Sequence, residues 1–129
     1  MNKPQSLSEA LASLKDEAYC YLTTTGRVSG KPHEIEIWFG VTGGRLYLMA
    51  GGGERSDWVK NLKKNPAVTI RIRGQVYQAT ADIVTDATEQ ASVRPVLADK
   101  YNEREADGSL SEWAATALVV GFDLTGRLL

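Results

Sequence analysis

One cysteine, Cys20, and one histidine, His33, are the only such residues in a chain of 129. A lone thiol excludes an intrachain disulfide and any multi-thiolate metal site, and leaves Cys20 as a small buried residue within a strand. His33 has Glu34 and Glu36 nearby, but one imidazole and two carboxylates alternating across opposite faces of a strand do not converge, so no metal is expected. No Ser-His-Asp set and no Cys-His pair is available, which leaves nucleophilic hydrolysis without support. Long apolar runs are absent too. Residues 1–15 are polar and helix-like, and nothing is long enough for a secretion signal or a membrane span, so the expected address is the cytoplasm. A pI near 5.8 and the want of a long basic cluster argue against a nucleic-acid binder.

What is present is the balance of an ordinary globular chain, 43% apolar and 24% charged, enough for one closed core with a groove along its edge; residues 1–129 read as one domain. The net charge of -1 hides an asymmetry. Residues 1–81 carry 11 Lys and Arg against 7 Asp and Glu, and residues 82–129 carry 4 against 9. The basic part is also the Gly-rich part, although solvated charge accounts for Lys60, Lys63 and Lys64 equally well.

Ser6 to Leu14 places Leu7, Leu11 and Leu14 at helical spacing behind a Ser cap, with Glu9 three residues after Ser6, and predicts a short amphipathic helix. Residues 18–25 form a first strand that stops at Gly26. After a turn from Gly26 to Lys31, Pro32 to Val41 alternates, with His33, Ile35, Ile37 and Phe39 on one face and Glu34, Glu36 and Trp38 on the other. Thr42-Gly43-Gly44 signals a hairpin into RLYLMA, which ends at the triple glycine Gly51 to Gly53. Ser56 or Asp57 caps a helix to about Lys64 that buries Trp58, Val59 and Leu62. VTIRIR and VYQATADIV make a further hairpin, residues 86–101 a helix interrupted near Pro95, residues 102–112 a polar loop or helical start, and TALVVGFDL a last strand. Six strands joined mostly by hairpins, with two or three short helices, exclude a doubly wound parallel sheet and favour a small antiparallel barrel.

The ordered blocks Thr24-Thr25-Gly26-Arg27-Val28-Ser29-Gly30-Lys31-Pro32, His33 to Phe39, Ser56-Asp57-Trp58-Val59-Lys60-Asn61-Leu62 and Asn65-Pro66 resemble the deazaflavin-dependent nitroreductase family of the flavin-binding split β-barrels. The likeness covers roughly residues 18–84 and fades toward the C-terminus. It implies a mainly β, six-stranded antiparallel split barrel that binds the deazaflavin F-420 and passes its hydride to a conjugated, quinone-like or nitro-type acceptor. Relatives in the wider superfamily use FMN, which stays an alternative. So does a carrier or sequestering module without turnover, because no side chain is marked as catalytic. Pairing about a two-fold axis, common among split barrels, leaves a homodimer open beside a monomer.

On this reading Gly26 and Gly30 let the backbone curl with positive φ so that amides face one anion, Arg27, Ser29 and Lys31 add donors, and Thr25 stands beside them. A solvated hairpin loop is the bland alternative. Ile37, Trp38 and Phe39 offer a wall for a flat ring, and core packing explains Ile37 and Phe39 equally well. Ala50, Gly51 and Gly52 sit where relatives place residues close to the cofactor's side chain, and some relatives have a Ser-Lys pair at about Gly51-Gly52. Its absence shifts the tail's binding toward Arg55, Lys60 or the first turn. Trp58 and Asn61 match the family's helical block. Tyr101 and Trp113 flank a polar segment as substrate-side residues.

Overall fold

Local signals carry the elements into place. The computed structural model describes residues 6–128; residues 1–5 of the polar N-terminal stretch and Leu129 lie outside them. Helix α1 (Leu7–Ser13) opens on the reciprocal cap its sequence promises: the Glu9 N–H donates to Ser6 Oγ at 3.1 Å, and Ser6 Oγ donates to Glu9 Oε1 at 3.0 Å. Leu11 and Leu14 are buried beneath it. Strand β1 (Cys20–Thr25) alternates buried and half-buried residues, so Cys20, Leu22 and Thr24 face inward.

Strands β2 (Pro32–Ile37), β3 (Gly40–Thr42), β4 (Arg45–Ala50), β5 (Ala67–Ile72), β6 (Gln75–Ile83) and β7 (Leu118–Arg127) join β1 in one sheet of order β2-β1-β5-β6-β7-β4-β3, antiparallel at every pairing. The run expected as one strand from Pro32 to Val41 is therefore two, and the count rises from six to seven. The reason is closure. β2 and β3 are the two outer strands of the sheet, yet only Trp38 and Phe39 separate them in the chain. One run supplies both edges, so the sheet curls into a split barrel and the backbone leaves the ladder at the crossing point. There the Phe39 N–H donates to the Tyr101 hydroxyl at 3.0 Å and the Phe39 carbonyl accepts from Lys100 Nζ at 3.0 Å, which satisfies what the ladder gives up.

Inside the barrel, Leu22, Phe39, Leu46, Leu48, Ile70 and Phe122 pack with Leu11 of α1 and Leu62 of helix α2 (Asp57–Lys64). Outside it, Tyr47 and Met49 of β4 and Val119 of β7 pack under helices α3 (Ala87–Lys100) and α4 (Glu112–Thr116). β4 is thus buried on both faces. Among the described residues four α-helices stand where two or three are expected; the extra one, α4, is five residues long and capped by Ser111, whose Oγ accepts from the Ala114 N–H at 3.1 Å. Pro95 does not interrupt α3, which runs unbroken for 14 residues. Burial of Val93, Leu97 and Ala98 along its inner face outweighs the one hydrogen bond a proline cannot donate.

Candidate functional site

The open edge of β2 organises the surface. β2 pairs with β1 on one side alone, so its other side presents unpaired N–H and C=O groups, and its side chains are exposed or half-buried throughout. Two cavities lie along it. One, of about 500 Å³, is bounded by Arg27, Ser29, Glu34, Ile35, Trp58 and Asn61 among others; the next, of about 380 Å³, by Glu36, Ile37, Trp38, Met49, Glu103 and Trp113, with Tyr19 at its rim.

The first cavity opens on the Gly26–Lys31 turn. Gly30 has φ +72°, as the turn requires, but Gly26 has no positive φ. Its constraint is steric: a Cβ there would lie 2.6 Å from Ser29 Oγ and 2.7 Å from His33 Nε2. Several amides of the turn are already engaged, Gly26 with the Lys31 carbonyl, Arg27 with Asn61 Oδ1, Gly30 with the Gly26 carbonyl and Lys31 with Ser29 Oγ. The expected nest of consecutive amides thereby reduces to Val28 and Ser29, with the Arg27 and Ser29 side chains beside them, while Lys31 lines neither this cavity nor the hollow next to it. The turn is braced from α2. Asn61, buried, accepts from the Arg27 N–H at 3.1 Å and from Arg27 Nη1 at 2.9 Å while donating to Thr24 Oγ1 at 3.1 Å. Asp57 pairs with Arg27 at 3.2 Å, and Lys64 Nζ donates to the Arg27 carbonyl at 2.8 Å. Asn61 thus shapes the site by holding Arg27. Thr25 and Gly30 face a neighbouring hollow beside Lys64 and Asn65 rather than the main cavity.

The second cavity is aromatic. Trp38 stacks on Tyr101 with ring centroids 4.3 Å apart and meets Trp113 edge-on at 5.5 Å. Trp38 lies in the two-residue break between β2 and β3 and borders the same cavity as Glu36, whereas Glu34 borders the first. Tyr101, the C-cap of α3, is held by its hydroxyl, which stands within donating distance of the carbonyls of Ala18 at 2.9 Å and Phe39 at 3.1 Å. Burial pushes this phenol up to about 12 and pulls the Lys100 ammonium down to about 8, with Lys100 Nζ lying 3.6 Å from the Phe39 ring centroid. Phe39 is fully buried and belongs to the core. Ile37 lines the cavity and also packs on the core.

Ala50 is buried at the end of β4, while Gly51 and Gly52 are exposed. A Cβ on Gly51 would stand 3.3 Å from Trp113 Cδ1, so the glycine lets the indole lie down over the chain. Trp58, half-buried, plugs the barrel mouth and borders the first cavity. Of the lysines of α2, Lys63 pairs with Glu54 at 3.0 Å, and Lys60 and Arg55 are exposed. Sequence reasoning had no place for Tyr19, Met49 and Glu103, and it weighed His33, Glu34 and Glu36 as metal ligands and not as walls of a groove. The alternation of β2 was the available signal for the latter three; nothing local marks Glu103. Among the described residues no helix is long and apolar enough to cross a membrane.

A family model described as F-420H(2)-dependent quinone reductase matches residues 6–110. Solved structures of similar fold include an F-420 reductase, 22% identical with a TM-score of 0.64 over 90% of this chain and 94% of that one. An F-420-H2 dependent reductase, FDR-A, is 20% identical with a TM-score of 0.64 over 84% and 94%. The heme storage protein HutZ from Vibrio cholerae is 15% identical with a TM-score of 0.67 over 94% and 94%. At these identities the structural likenesses establish the split-barrel fold.

Proposed function

The chain belongs to the F-420H(2)-dependent quinone reductase family, and from that premise we propose that it is an F-420-dependent oxidoreductase whose acceptor is a quinone-like or otherwise conjugated ring. The observation that carries the reading is the pair of cavities that follow one another along β2, from the Arg27–Ser29 turn to the Trp38 cluster. Its donor set suits the cofactor: cationic and hydroxyl groups at one end for a phosphate, then an unpaired strand edge able to meet the polar edge of a tricyclic ring, then flat side chains.

In this assignment Arg27, Ser29 and Lys31, with Thr25 and Gly30 behind them, hold the phosphate, and Asn61 and Asp57 hold Arg27 in its pose. Ile37 and Trp38 border the ring. Ala50, Gly51, Gly52 and Trp58 shape the path of the side chain. Tyr101 and Trp113 line the acceptor side. When bound, reduced F-420 would supply a hydride, which together with one proton would convert a quinone to its quinol. The protein's part is to stack the acceptor, exclude water and keep the two rings in register. Fluorescence titration of the protein with F-420 and with FMN, followed by oxidation of reduced F-420 in the presence of quinones, nitroarenes and enones, tests the reading. Binding of F-420 with quinone-dependent turnover is expected. Preference for FMN sinks it, and F-420 binding without turnover on any acceptor class makes the chain a carrier.

A further inference from the structure

The second cavity carries charge of one sign. Glu36 and Glu103 face it from β2 and from the loop after α3, and among its lining residues there is no Lys or Arg. Glu36 is held in place: the Tyr21 hydroxyl donates to its Oε1 at 2.6 Å. The neighbouring cations have other partners and do not line the cavity: Arg71 lies over the Tyr21 ring at 4.1 Å and pairs with Glu34 at 3.4 Å, Arg104 pairs with Asp99 at 2.6 Å, and Lys100, 5.1 Å from the Tyr101 ring centroid, donates to the Phe39 carbonyl. Trp38 and Trp113 line the same cavity, and the faces of indoles attract cations. Glu103 is half-buried and its backbone is fixed at both ends, its N–H donating to the Ala98 carbonyl at 2.8 Å and its carbonyl accepting from Ser111 at 2.9 Å. A flat cation entering here meets indole surface and two carboxylates.

Building on the reading above, we infer that this cleft selects planar acceptors that bear a positive charge, and that Glu36 and Glu103 set that selectivity against anionic ones. The chemistry agrees with the electrostatics. Hydride addition to a ring carbon of an N-alkylated heteroaromatic cation gives a neutral product, the accompanying proton passing to solvent, so the charge that draws the acceptor in is gone when the product leaves. An anionic acceptor gains nothing from the indoles and is repelled by both carboxylates.

The test compares binding of two probes, N-methylquinolinium and naphthalene-2-sulfonate, to the full chain alone and with oxidised F-420, where no hydride is available to transfer, followed by quenching of tryptophan fluorescence. At low salt the cation is expected to bind about 10-fold or more tighter than the anion, a gap that shrinks as salt screens it. Glu36→Gln with Glu103→Gln, checked for an unchanged urea midpoint, brings the two probes within about 2-fold; Glu36→Gln alone and Glu103→Gln alone each close part of the gap, so one misfolded variant does not leave the matter undecided. Equal or tighter binding of the sulfonate to the unaltered protein overturns the inference, and so does a preference that survives removal of both carboxylates. Because the probes need no turnover, a chain that fails to bind F-420 still answers the question, and the kcat/KM ratio for cationic and sulfonated quinones extends it to the loaded enzyme.

Discussion

Trp38 lies flat on Tyr101, their ring centroids 4.3 Å apart and their planes within 4° of parallel. The pair joins the point where the sheet changes edges to the end of α3. The ring of Tyr101 backs the indole that faces the cavity, while its hydroxyl takes the Phe39 N–H that the ladder has released. One side chain therefore serves the barrel's closure and the site's wall, and the two roles separate by substitution.

Tyr101→Phe keeps the stack and removes the hydroxyl, leaving the Phe39 N–H without its partner. A loss of about 1–2 kcal/mol in urea-derived stability is expected, with the acceptor KM little changed. Tyr101→Ala also removes the stack and should raise that KM as well. If the two variants weaken acceptor binding alike, the ring has no part in the site.

Asn61→Ala strands the Arg27 amide and the Thr24 hydroxyl that its buried side chain now serves. A destabilisation of about 1–3 kcal/mol is expected, together with weaker F-420 binding because Arg27 loses its brace. Asn61→Asp, which still accepts from Arg27, should retain more of both. Titration with F-420 and urea unfolding of the same preparations would reveal whether affinity and stability fall together; affinity unchanged in the alanine variant removes Arg27 from the cofactor site.

Gly51→Val places a branched side chain where Trp113 Cδ1 stands 3.3 Å from even a Cβ. Gly51 is exposed and lacks a positive φ, so the fold tolerates the change within about 0.5 kcal/mol while the indole is pushed from its place. A shifted tryptophan emission and a several-fold drop in kcat/KM for the acceptor, at nearly constant Tm, are the expected signs. A lowered Tm with unaltered kinetics would show Trp113 to be structural only.

Stability above neutral pH should rise and then fall. Burial pulls Lys100 down from an ordinary 10.5 to about 8 and pushes the Cys20 thiol up from 9.0 to about 12. Between about pH 8 and 10.5 the unfolded chain keeps a proton that folded Lys100 has given up, so stability increases with pH on its account. From about pH 9 upward the folded chain keeps the Cys20 proton that the unfolded thiol loses, so stability present below that pH drains away; Tyr101, raised by burial from 10.0 to about 12, acts in the same direction from about pH 10. Urea midpoints should rise between about pH 8 and 9, level off while the two groups offset each other, and fall above about pH 10; Lys100→Met removes the rise and brings the fall forward to about pH 9, and Cys20→Ala extends the rise to about pH 10. A rising limb that persists without Lys100 refutes its assignment.

Much of the fold was legible because its determinants act over a few residues. The Ser6–Glu9 cap spans one helical turn, the alternation of β1 needs six residues, and Thr42-Gly43-Gly44 needs only itself to turn β3 into β4. The Gly-Arg-x-Ser-Gly turn could likewise be read as a place for an anion. Its bracing by Asn61 could not, since a matching helical block says that asparagine belongs there and leaves open which atoms it serves.

By itself, then, the sequence determined the strand and helix types, an antiparallel sheet, and the basic turn that opens the groove, because propensity, capping and hairpin chemistry are decided between near neighbours. Only the tertiary structure decided that Pro32 to Val41 breaks at Trp38–Phe39 to serve both edges of the sheet. It also decided that Tyr101 backs Trp38, that Trp113 meets Trp38 edge-on, and that Glu36 and Glu103 border one cavity. Those relationships follow from the curl accumulated over seven strands and from α3 packing across the outer face of β4, and no window of a few residues contains either.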